Sequence, residues 1–181
     1  MSEEIADPLP VSTPPMVDSR KSVLRCYLLL GVSLPLAFSP IGVLAGPFFL
    51  AMIAGVIWAY RLRGRADPMA AMHGRWMVRT FWISSIFFVV GMLAAGALIH
   101  ANADQTPLIE TLGQYPSVDA VPEDVRISVI TRFYELNARL MLMITLGCMA
   151  PPLLYTLARL IRGGRMAHKG QDLPNVKSWW L

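Results

Sequence analysis

Charge is the scarcest ingredient of this sequence. Only 15% of its 181 residues are charged while 55% are hydrophobic, against roughly 25% charged in an ordinary soluble domain. A soluble globule of this size leaves much of its surface in water, so uncharged runs longer than a core helix needs require another solvent, a lipid bilayer. Cysteine is almost missing: Cys26 and Cys148 are the only two, which excludes a disulfide-rich secreted scaffold. Histidine is nearly as sparse. His73, His100 and His168 fall on different loops or ends, with no His-x3-His or Cys-x2-Cys spacing, so neither a haem nor a zinc site is expected. Strand-like alternation and a repeat of solenoid period are both lacking, which removes a barrel and a repeat array.

The charges that are present are unevenly placed. Three basic residues lie early (Arg20, Lys21, Arg25), five between Arg61 and Arg79, and five between Arg159 and Lys177. Residues 101–135 carry only Arg126 and Arg132 against six acids, Asp104, Glu110, Asp119, Glu123, Asp124 and Glu135. A net charge of +4 therefore reads as the loop asymmetry of a membrane topology and not as a phosphate-binding face, so no nucleic-acid partner is expected.

Residues 1–18 hold four prolines, four acids and no basic residue, and we read 1–22 as a disordered cytoplasmic tail. A signal-peptide cleavage after Ala45 is not expected, because the apolar run continues to Tyr60. Residues 26–60 contain no charge and would extend about 52 Å as one helix, against a hydrocarbon thickness of about 30 Å. The run is one overlong helix or a hairpin, and Pro35, Ser39, Pro40 and Gly42 supply the break that a hairpin needs. Its first arm, 23–38, is short for a span.

Asp67-Pro68 is an N-cap followed by proline at the first helical position. A helix should start there, partly interfacial, and enter the membrane over 80–99. A last apolar segment, 136–161, follows a helix start near Pro122. It should kink at Pro151 and Pro152 and end at Gly163 and Gly164. The expected architecture is all-α and polytopic: a transmembrane domain over 23–161 with four transmembrane helices, the first two a tight hairpin. An external loop spans 101–135 and a basic cytoplasmic tail 162–181. Four spans place both termini in the cytoplasm, whereas three would export Arg20, Lys21 and Arg25.

Intramembrane polar residues are the default pointers to function, and few are present. Arg79 and Arg139 sit near helix ends, where they can snorkel. Glu135 and Arg139 have the favourable i, i+4 order for an ion pair, structural in its main reading and gating in the alternative. No acid lies within the apolar runs to relay protons, and no Asp pair suits intramembrane proteolysis. Ser84, Ser85 and Thr145 read as helix-packing hydroxyls. Gly42 and Gly46, continued by Ala51 and Gly55, form a small-residue face that serves hairpin packing or, alternatively, a homodimer. Gly91 and Gly96 look like the complementary surface. No catalytic, cofactor-binding or metal-binding residue is assigned, and no cofactor is expected.

The run His73-Gly-Arg-Trp-Met-Val-Arg79-Thr80-Phe81-Trp82-Ile83, with the later Arg159, Arg162, Gly163, Gly164, Gly170, Pro174 and Trp179, resembles a family of small bacterial four-helix membrane proteins of unknown function. That family is distantly similar to the channel subunit of the chloroplast inner-envelope translocon. The resemblance implies a multi-pass protein of the bacterial inner membrane and no agreed activity. His73, Arg75, Arg79 and Trp82 become a candidate cytoplasmic-rim motif, with Trp76 as a further interfacial anchor. The expected function is non-enzymatic: a structural, assembly or transport-accessory subunit, or alternatively a small oligomeric channel or transporter. Its partners would be the lipid bilayer and another membrane protein or a second copy of the chain.

Overall fold

The computed structural model describes residues 16–37 and 42–173. These residues are all-helical, with no strand among them: α1 (Met16–Ala37), α2 (Gly42–Arg63), α3 (Pro68–Asn102), α4 (Thr106–Leu112) and α5 (Glu123–Lys169), with a short 3-10 turn at Val118–Ala120. Asp67 caps α3 as expected, its carboxylate accepting the Met69 amide at 3.1 Å, and α5 starts one residue after Pro122. α1 begins at Met16, inside the stretch read as tail. Ser39, Pro40, most of the N-terminal tail and the Pro174, Lys177, Trp179 and Trp180 segment lie outside the described residues.

Among the described residues two helices, α3 and α5, are long and apolar enough to cross a membrane, not four. α1 falls short for a visible reason: Asp18, Arg20, Lys21 and Arg25 occupy its first ten residues, so its uncharged part is about 18 Å long at 1.5 Å per residue. α5 differs from expectation at its far end. Gly163 and Gly164 do not stop it, and it runs on to Lys169. The stop is Gly170, the one described residue with φ in the left-handed region, at 67°. Its amide donates to Ala167 O at 3.1 Å and the Gln171 amide to Met166 O at 2.9 Å, the paired bonds of a Schellman cap.

The chain packs as two units, one of residues 1–80 with 159–181 and the other of residues 81–158. In the first, α1 presents Val23, Cys26, Tyr27 and Leu30 at helical spacing to a core completed by Ala59 and Leu62 of α2, Ala70, Trp76 and Met77 of α3, and Leu160 and Ala167 of α5. α1 and α2 are antiparallel: the Trp58 indole donates to Ser22 Oγ at 3.3 Å, and Cys26 Sγ to Gly55 O at 3.5 Å. Of the small-residue face, Gly55 makes the close approach, since a Cβ there would lie 2.7 Å from Leu30 Cδ2. Ala51 is half-buried, and Gly46 faces open space.

In the second unit the two long helices are antiparallel and turn their polar groups inward. Ser84, Thr156 and Asn137 are buried, while Val89, Val90, Leu93, Leu142, Met143 and Leu146 are each more than half exposed. The Thr156 hydroxyl donates to Pro152 O at 2.7 Å and shares a 2.6 Å hydrogen bond with the Ser84 hydroxyl. Gly91 meets α5: a Cβ there would lie 2.8 Å from the Cys148 carbonyl oxygen. Phe87 and Tyr155 pack edge to face at 5.5 Å.

Candidate functional site

The polar centre of the first unit is built by His73, Trp76 and Thr80 of α3 around Arg159 of α5. Arg159 is fully buried. Its guanidinium carbon stands 3.9 Å from the centroid of the Trp76 ring, and its Nε donates to Thr80 Oγ1 at 3.2 Å. The Thr80 hydroxyl passes its own proton to the Trp76 carbonyl, one turn back, at 2.8 Å. The Trp76 indole donates across to the Arg159 carbonyl at 3.3 Å. Trp76 and Thr80 are one helical turn apart, so a single face of α3 supplies the aromatic plate and the hydroxyl for one cation.

One turn before Trp76, His73 is fully buried and its Nδ1 lies 3.1 Å from the Tyr27 hydroxyl, with the two rings edge to face at 5.8 Å. Tyr27 is seated because Gly163 has no side chain: a Cβ there would meet the phenol oxygen and lie 2.7 Å from Cζ. Gly74 does the same for α2, since a Cβ would lie 2.8 Å from Arg63 Cα and 2.9 Å from Ala59 O. The His-Gly pair thus stands where α1 and α2 both close on α3.

Of the candidate rim motif, His73 is enclosed, Arg75 is exposed and Arg79 half-buried, while Trp82, 55% exposed, belongs to the second unit. Glu135 and Arg139 are both exposed on α5. Sequence reasoning missed Arg159 as a buried group. The signal was available: Thr156, Arg159, Leu160 and Gly163 follow i, i+3, i+4, i+7, one face of a helix. Cys26 and Cys148 are both free thiols, and among the described residues no group of three His, Cys, Asp or Glu is placed to hold a metal ion.

The second unit adds a polar clasp where α3 leads into α4. Asn137 on α5 accepts the Asp104 amide at 2.8 Å and donates to the Asp104 carbonyl at 3.0 Å and to Phe133 O at 2.9 Å. The Asp104 carboxylate accepts the Thr106 amide at 3.0 Å, and its hydrogen bonds with Thr106 hold its pKa below the ordinary aspartate value. Beside the clasp, Asp104, Glu110, Arg132 and Ser128 line a cavity of about 540 Å³.

The described residues are thus all-helical, with two helices fit to cross a membrane and an enclosed cation between aromatic and hydroxyl groups. No protein-family model, curated protein or solved structure matches the chain.

Proposed function

We propose that the chain is a multi-pass protein of the bacterial inner membrane, with four spans and both termini cytoplasmic, that acts as a structural, assembly or transport-accessory subunit and not as an enzyme. The observation that carries the reading is the inversion of α3 and α5, whose most apolar windows are only 22% and 11% buried. Such contiguous exposed apolar surface is foreign to a soluble monomer. The α1–α2 hairpin supports two further spans, because it also exposes Leu28, Val32, Leu50 and Ile57. Its limited reach is that of a short hydrophobic segment, accommodated by local thinning of the bilayer.

The enclosed groups favour a structural role over a reactive one. His73 and Tyr27 are a potential proton donor and acceptor, yet both are buried, and a catalytic group must meet its substrate. Discontinuous helices are a hallmark of transporters, whereas α5 continues through Pro151 and Pro152. We place the chain beside the small four-helix bacterial proteins that its His73 to Ile83 segment resembles.

Topology is the direct test. With Cys26 and Cys148 replaced by serine, an impermeant thiol reagent should label Glu110→Cys in intact cells and Arg75→Cys only after lysis. The reverse pattern would overturn the orientation, and labelling of both in intact cells would overturn the spans.

A further inference from the structure

On the outer face of α2, Ala54, Ile57, Trp58 and Arg61 line a groove of about 390 Å³ that Arg65 completes. The first four follow i, i+3, i+4, i+7, so one stripe of the helix makes the groove. Arg65 joins from the turn after the helix, where its amide donates to Leu62 O at 3.1 Å. The groove is therefore polarised along about 10 Å of helix and the turn that follows it. Ala54 and Ile57, both exposed apolar residues, form one end. Two exposed guanidinium groups form the other. Between them the Trp58 indole is fixed by its 3.3 Å hydrogen bond to Ser22.

We propose that this groove binds one anionic phospholipid, its phosphate held between Arg61 and Arg65 and the start of an acyl chain laid along Ile57 and Ala54. The inference rests on the membrane reading above. Charge complementarity selects the occupant: paired guanidinium groups suit a phosphate oxygen pair, and the adjoining apolar stripe suits the chain that a soluble phosphate lacks. A tryptophan between the two is the residue type that favours the headgroup level. Arg61 in the last turn of α2 and Arg65 just after it lie where the helix dipole favours positive charge. A membrane made only of zwitterionic lipid would leave the two charges without the net negative partner they match.

The test is native mass spectrometry of the full chain released from mild detergent in the presence of phosphatidylglycerol or phosphatidylcholine. Phosphatidylglycerol should be retained in preference. Arg61→Gln with Arg65→Gln should weaken that retention by roughly fivefold per arginine and phosphatidylcholine retention by less, whereas the charge-matched pair Arg20→Gln and Lys21→Gln should weaken neither. Ile57→Asn should weaken retention with both arginines intact. Equal retention of the two lipids, equal loss in both charge-matched pairs, or displacement of the lipid by inorganic phosphate at equal concentration would each overturn the proposal. Alkaline extraction of the same variants separates the two readings: chain that leaves the membrane with carbonate overturns the membrane reading. Chain that stays, without lipid preference, overturns only this site.

Discussion

Trp76 and Arg159 hold each other twice: the indole N–H donates to the arginine carbonyl at 3.3 Å, and the guanidinium carbon lies 3.9 Å from the centroid of the same ring. One contact fixes the backbone of α5 against α3, the other fixes the charge. A desolvated cation over an aromatic face is worth about 2 kcal/mol or more, and the indole bond adds about 1 kcal/mol.

Arg159→Lys keeps the charge but loses the flat stacking surface and the Nε donor to Thr80. It should lower stability by about 1–2 kcal/mol, read as a fall in the thermal unfolding midpoint in mild detergent. Trp76→Phe should cost a similar amount. Because both changes remove the same contact, the double variant should lose clearly less than the two single losses together. Full additivity would show that the two residues touch without being coupled.

Glycine substitutions should sort by what a Cβ meets. Gly74→Ala drives a methyl into the backbone of Arg63 and Ala59 and should cost about 1–3 kcal/mol, as overpacking does. Gly163→Ala strikes the Tyr27 ring, so its cost should shrink in a Tyr27→Leu background, while that of Gly74→Ala should not. Gly96 has open space around it, and Gly96→Ala should stabilise α3 by up to about 1 kcal/mol. Unfolding midpoints of the four single and two double variants decide the order.

The clasp at Asp104 should respond to acid. A carboxyl whose pKa is lower in the folded chain than in the unfolded one stabilises the fold above the unfolded value and loses that contribution as pH falls through the folded one. Protection of the Thr106 amide against hydrogen exchange, corrected for the intrinsic rate, should therefore be constant above about pH 5 and decline below about pH 4. Asp104→Asn should flatten the response, because an amide oxygen still accepts the bond but does not titrate. Asn137→Ala should release the Asp104 amide at every pH, since that bond carries no titratable group.

Helix starts were legible because their signals are local. Asp67-Pro68 and Pro122 with Glu123 and Asp124 mark α3 and α5 within the residues concerned. Helix ends and packing glycines were not separable. Gly163, Gly164 and Gly170 are the same residue type, and only the approach of Tyr27, more than 130 positions earlier, decides that the first serves packing. The segment from His73 to Thr80 was visible as unusual, but the enclosure of His73 and Thr80 was not. What it holds is an arginine 79 residues beyond Thr80, a partner that no local period specifies. Apolar content predicted four spans; among the described residues α3 and α5 meet the length and polarity demanded, and charges at the head of α1 shorten its uncharged part.

Proline at position 152 withdraws the amide that the Cys148 carbonyl would otherwise receive one turn earlier. What meets that oxygen is Gly91, where a Cβ would lie 2.8 Å away. A glycine that looks like a spacer between helices thus leaves room on α3 for a carbonyl of α5 whose in-helix amide is missing.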